Sequence, residues 1–272
     1  MILFLFNAIN RGGMFAELQD VKMYYEEEGE GEPVILIAGI GANHRFWKGM
    51  LPLLKGYRVI TLDNRGVGQT EYKGDIQIDI MADDVIHLMD YLHIYKAHIV
   101  GWSMGSQISQ SLAIRYGQRL QSLTLVSSYQ FRPHRSAYFM YTMAKAAVEG
   151  KCSMDEVNIL LNSFCFPESK FAELEKAGII MPVPKHPEKP EEVFKQMISM
   201  DKFDTTEKTK DIKVPTLVVH GGMDIMVEPI KGRAIGNSIP GCTYIELPGE
   251  GHTIDPQLYI GALKKHLSDH KM

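Results

Sequence analysis

Cysteine is scarce: the 272 residues include three, Cys152, Cys165 and Cys242, an odd number at wide spacing. That excludes a disulfide framework, a C-x-x-C redox pair and a thiolate metal cluster, and a reducing, cytoplasmic setting is the expectation. No H-E-x-x-H and no His/Asp cluster with ligand spacing occurs, so neither a metal nor a cofactor is expected. Apolar runs are short. Residues 1–9 fall far below the ~20 of a membrane span and lack the basic flank of a secretory signal, so no stable membrane association is expected. Basic blocks are missing too. With 29 Lys and Arg against 33 Asp and Glu the net charge is −4, which argues against a nucleic-acid partner. A dinucleotide fingerprint fails on one residue: Gly39-x-Gly41 follows a strand pattern, but the third glycine would fall at His44.

What is present is ample apolar material, 45% of the chain, arranged with period. Residues 21–26 alternate like a half-buried strand, and a glycine-rich turn precedes the continuous apolar run 34–38, as in a strand covered on both faces. Further strands are expected at 57–62, 95–100, 120–126, 214–220 and 243–247. Helices are expected over 79–92, from apolar spacing, over 106–114, and over 256–267, with Asp255 as N-cap and Pro256 at the first helical position. Strands alternating with helices imply an α/β fold with a mainly parallel sheet flanked by helices.

The alternation stops between 129 and 205. That stretch has no convincing strand, is rich in Met and aromatic residues, and contains an irregular proline-rich connector at 181–190. The expected organisation is therefore a core made of 14–128 and 206–272, a helical cap insertion at 129–205, and a disordered extension at 1–13.

The chemistry is concentrated in Gly101-Trp102-Ser103-Met104-Gly105, a G-x-S-x-G between a strand and a helix. This is the nucleophile-elbow pattern, a turn too tight for side chains at its ends that lifts a serine oxygen above the sheet. A serine hydroxyl needs a general base, and the base needs an acid to fix its tautomer. Chain order in this architecture is Ser, acid, His. Asp224 supplies the acid, in His220-Gly221-Gly222-Met223-Asp224 just past a strand, and the other acid slot, after 120–126, holds Ser127 and Ser128. His252, in Gly251-His252 after the last strand, supplies the base, whereas His220 reads as structural. Two backbone N–H groups should hold the developing oxyanion: that of Met104, and that of Ile40 in the loop after strand 34–38.

These motifs, with Gly39-Ile40-Gly41 and Asp63-Asn64-Arg65-Gly66-Val67-Gly68, stand in the order and approximate spacing of the α/β-hydrolase family. From Met14 onward the chain resembles its small cap-bearing esterases, lactonases, carbon–carbon hydrolases and non-haem peroxidase-like members. The resemblance implies that 63–68 is a structural turn beside the oxyanion loop, with Arg65 paired internally, and that the insertion lies over the site. One departure stands out: relatives usually carry His-Gly where this chain has Ala38-Gly39, a change that leaves the backbone donor in place.

The expected activity is hydrolysis of a carboxylic ester or lactone, a small molecule with an apolar portion, through an acyl-enzyme on Ser103. Trp47, Trp102, Phe139 and Met143 are the candidate substrate contacts, and His44 lies near the pocket loop. The same triad serves carbon–carbon hydrolysis, thioester hydrolysis and perhydrolysis, and a hydrolase-like ligand-binding or signalling protein is the alternative from another class.

Overall fold

The computed structural model describes residues 10–177 and 189–271. Among these, one sheet of nine strands forms the centre. The first strands are β1 (Asn10–Glu17), β2 (Val21–Glu28), β3 (Glu32–Ile37), β4 (Tyr57–Leu62) and the two-residue β5 (Glu71–Tyr72). Then come α1 (Ile78–Tyr91), β6 (Ala97–Trp102), α2 (Met104–Tyr116) and β7 (Leu120–Val126). After four further helices the chain re-enters the sheet as β8 (Thr216–Gly221), followed by α7 (Pro229–Ser238), β9 (Thr243–Leu247) and α8 (Ile260–Asp269).

The spatial order is β1-β2-β4-β3-β6-β7-β8-β9, with β5 beside β2. From β4 to β9 every neighbouring pair is parallel, while β1, β2 and β5 add antiparallel edges. Period-two alternation sends side chains of one strand to opposite faces. Thus Ile35 and Ile37 join Met81, Val85, Leu88, Ile108 and Leu112 on the α1/α2 face. Val34 and Leu36 face the other way, with Trp47, Met50, Leu263 and Leu267. Coverage on both faces is why β3 reads as an apolar run rather than an alternating pattern, and why β6 and β8 are mostly apolar, broken chiefly by His98 and His220.

Two expectations need correction, and one helix carries no expectation at all. The extension expected over 1–13 gives way at Asn10, because residues 10 and 11 pair with Glu28 and Glu27 and a bulge carries β1 on to Met14; residues 1–9 lie outside the described residues. The C-terminal helix is interrupted. Asp255 accepts from the Gln257 N–H and starts a 3-10 turn, Pro256–Leu258, and α8 begins only at Ile260. Finally, α7 carries little sequence signature, since Gly232 and Gly236 interrupt its helical pattern.

Between β7 and β8 stand α3 (His134–Val148), α4 (Met154–Cys165), α5 (Glu168–Lys176) and α6 (Pro190–Asp201). α4 opens with a capping box, Ser153 and Glu156 each bonding the other's backbone N–H. The proline-rich connector falls outside the described residues except at its end, where Pro190 takes the first position of α6. An isolated bridge, Phe131 to Asp204, closes the base of the insertion.

Candidate active site

The sharp turn from β6 into α2 sets Ser103 apart. Its φ is 53° and its ψ −121°, a left-handed conformation that a side chain adopts only under constraint. The constraint is crowding. A Cβ on Gly101 would strike the Gly105 carbonyl and the Ser109 hydroxyl, and one on Gly105 would strike the Ile37 carbonyl. Val126 O accepts from the Ser103 N–H at 3.0 Å and pins the turn to β7.

Asp224 and His252 leave the carboxyl ends of β8 and β9, where parallel sheets of this kind form their sites. The structure brings all three residues together. His252 Nε2 lies 2.9 Å from Ser103 Oγ, and His252 Nδ1 donates to Asp224 Oδ2 at 2.8 Å. The other carboxylate oxygen accepts from the N–H groups of Met226 and Val227, at 2.9 and 2.8 Å. Asp224 is therefore held in one orientation, and it holds the imidazole with Nε2 toward the serine. The His252 loop is fastened through its carbonyl, which accepts from Trp102 Nε1 at 3.0 Å and from Ser127 Oγ at 2.7 Å. All three side chains are nearly withdrawn from solvent.

His220 stands behind this group, fully buried, and donates through Nε2 to Val227 O. Burial lowers its pKa, outweighing the pull of the nearby Asp224 charge. It is a neutral strut rather than a base, as its strand-end position suggests.

The loop after β3 runs against the serine: a Cβ on Gly39 would come within 3.0 Å of Ser103 Cβ. Residues 39–42 form a turn closed by Ala42 N–H to Gly39 O at 3.2 Å, with Gly41 at φ 61°. Among the described residues neither the Ile40 N–H nor the Met104 N–H takes a hydrogen-bond partner. Both are free for an anionic oxygen beside Ser103.

The turn 63–68 braces this loop. Asp63 accepts from both the N–H and Nδ1 of His44, and Asn64 Nδ2 donates to Ala38 O at 3.2 Å. Arg65, 1% exposed, donates to Asp84 and Asp20. Burial alone would lower its pKa; those two carboxylates raise it, so the guanidinium stays charged. His44 is thus a buried link of the scaffold rather than a wall of the pocket.

Above Ser103 and His252 lies a cavity of about 850 Å³. Its wall joins the core, through Ile40, Phe46, Trp102 and Tyr129, to the inserted helices, through Met140, Leu161, Met197 and Met200. Polar relief comes from Asn158 and Asn162, and from Arg132, which pairs with Asp201 at 2.6 Å. Of the four substrate contacts expected from sequence, Trp102 lines the cavity. The other three stand elsewhere. Trp47 is buried in the core face under β3, Phe139 packs on Phe164, and Met143 packs with Ala147 and Val157. Cys165 does line the cavity, but burial, then the Asp224 charge, pushes its thiol up to about 12, which leaves it a poor nucleophile beside Ser103.

Sequence reasoning missed Ser127 and Gln196. Ser127 occupies an acid slot and donates instead to the histidine loop. Gln196 is a polar residue on the apolar stripe of α6 that holds Val193, Met197 and Met200, and that misfit is the signal for it.

A family model described as the alpha/beta hydrolase fold matches residues 32–164. The 2-hydroxy-6-oxononadienedioate/2-hydroxy-6-oxononatrienedioate hydrolase of Comamonas testosteroni is 26% identical over 266 residues, which cover 91% of this chain and 89% of that protein. Among solved structures, the enol-lactonase of Burkholderia xenovorans LB400 matches with a TM-score of 0.82 at 25% identity, over 94% of this chain and 100% of that one. A thermophilic esterase from Thermogutta terrifontis matches with a TM-score of 0.81, also at 25% identity, over 95% and 100%.

Proposed function

Because this chain belongs to the α/β-hydrolase family, we propose that it is a serine hydrolase acting on a carboxylic ester or lactone of a small, largely apolar molecule. The observation that carries the reading is the unbroken hydrogen-bonded line from Ser103 through His252 to Asp224, at 2.9 and 2.8 Å, at the floor of an apolar cavity.

In this reading His252 Nε2 takes the proton as Ser103 Oγ attacks the carbonyl carbon, and it delivers that proton to the departing alcohol oxygen. Asp224 stabilises the imidazolium and keeps Nδ1 protonated. The tetrahedral oxyanion is held by the N–H groups of Ile40 and Met104, whose lack of other partners supports that role. Water then attacks the acyl carbon and gives a proton to His252, which returns it to Ser103 Oγ as the acyl–oxygen bond breaks and the acid leaves. The cap is the segment 129–205, and its helices size the substrate. The solved enol-lactonase and esterase support the lactone and ester options alike.

The test is hydrolysis of p-nitrophenyl esters from acetate to decanoate and of simple lactones, with Ser103→Ala as control. Activity in the wild type that vanishes in the variant, with thermal stability little changed, is the expected outcome. Activity surviving in Ser103→Ala places the nucleophile elsewhere.

A further inference from the structure

The turn 39–42 carries the proposed oxyanion donor, yet its own closure is one bond, Ala42 N–H to Gly39 O. Its central peptide joins Ile40 to Gly41. Such a peptide flips readily in a turn with glycine at the third position, because glycine accepts either sign of φ. Something must hold the orientation in which φ of Gly41 is 61°. That hold comes from outside the core. Gln196, on α6, is fully buried; its Oε1 accepts from the Gly41 N–H at 3.0 Å, and its Nε2 donates to the Arg65 carbonyl at 2.7 Å. One amide thus ties the oxyanion loop to the 63–68 turn across the inserted helix.

α6 is itself anchored. Glu192 accepts from the Tyr72 hydroxyl and from Lys195 Nζ, Asp201 pairs with Arg132, and Val193 packs against Ile40. The same helix presents Met197 and Met200 to the cavity. The element that touches the substrate space is also the element that sets the loop.

We infer that Gln196 is a positioning residue: by holding the Gly41 N–H it pins the loop backbone one peptide beyond the Gly39–Ile40 peptide that carries the Ile40 N–H, and so keeps that donor in place beside Ser103, coupling the seating of α6 to turnover. The inference rests on the serine-hydrolase reading. Gln196 touches no reacting atom, and nothing else among the described residues bonds the Gly41 N–H. Losing it leaves substrate contacts intact but lets the donor wander, so the loss should fall on kcat rather than KM.

The experiment uses the full chain and the p-nitrophenyl ester that the wild type cleaves best. Gln196→Leu should lower kcat by about 10- to 100-fold, less than or equal to the loss of a whole oxyanion donor, with KM within about threefold. Hydrogen exchange of the Gly41 amide should quicken at least about tenfold in the same variant, a readout independent of turnover. Gln196→Glu keeps the acceptor for Gly41 but, when ionised, sets a carboxylate against the Arg65 carbonyl. Its kcat relative to wild type should therefore rise as pH falls through the carboxyl's titration, a limb absent from the wild-type profile. If Gln196→Leu does not fold, the Gln196→Glu pH profile decides. Unchanged Gly41 exchange, unchanged kcat, or a loss carried by KM overturns the inference while an active wild type preserves the reaction. A wild type inert on every ester defeats the serine-hydrolase reading first, and this inference with it.

Discussion

At the scale of single residues, each group in the site is defined by what its other side holds. Asp224 has one oxygen for His252 and the other for two backbone N–H groups, so it cannot swing away. Asp224→Asn should preserve this geometry yet present an N–H where Nδ1 needs an acceptor, and kcat on the best ester should drop about 10³- to 10⁴-fold. Steady-state kinetics with an intact melting curve check it; a rate within tenfold of wild type would move the orienting acid elsewhere. Arg65 and Asp84 make a comparable pair in the scaffold, both about 1% exposed. Asp84→Ala leaves a buried guanidinium short of a partner and should cost about 3–5 kcal/mol in urea unfolding. Much of this was legible from sequence. Ser103, Asp224 and His252 announce themselves by glycines and strand ends, and the structure brings them together. Trp47 shows the limit: it was a candidate substrate contact, but the 3-10 turn His44–Gly49 sets it in the core and leaves Phe46 on the cavity.

At the scale of elements, the strand–turn–helix units were readable because apolar runs and helical spacing are local signals. β6, the elbow and α2 form from adjacent residues, and the crowding at Gly101 follows from that one turn, whereas Gly105 is crowded by the end of β3. β5, the start of β1 and α7 were not readable, since each exists by pairing or packing with distant chain. The two kinds of helix should respond differently to truncation. Leu263 of α8 is fully buried against the sheet, and Leu263→Ala should cost about 2–5 kcal/mol. Ile159 of α4 is 46% exposed, and Ile159→Ala should cost under about 0.5 kcal/mol. Chemical denaturation of the two variants side by side checks the contrast, and equal losses would mean that the inserted helices carry as much of the fold as α8.

At the scale of the whole molecule, buried histidines make stability depend on acid. Burial lowers the pKa of His98, His220 and His266, in the last case to about 4. A folded-state pKa below the unfolded value of about 6.5 means that the unfolded chain binds more protons between the two. This contribution is therefore complete above about pH 6.5, is lost as pH falls, and levels off below about 4 for His266. His266 alone should account for a loss on the order of 1–3 kcal/mol over that window. His266→Gln should flatten the fall in melting temperature between pH 7 and 4.5, and an unchanged slope would assign it to other groups. Over the same scale, no helix among the described residues is long and apolar enough to cross a membrane.

What the sequence determined by itself was the alternation of the main core strands with helices, the elbow with its serine, and the positions after β8 and β9 that hold Asp224 and His252. Those are consequences of neighbours a few residues apart, where periodicity and glycine sterics act directly. Which side chains meet across the cavity was decided only in three dimensions. Gln196 reaches Gly41 across 155 positions, and His252 reaches Ser103 across 149. The histidine could be foreseen because its strand-end slot constrains it. The glutamine is marked by its misfit on the apolar stripe of α6, but its partners could not be foreseen: they are backbone groups, and a backbone N–H or carbonyl is the same at every position until folding selects one.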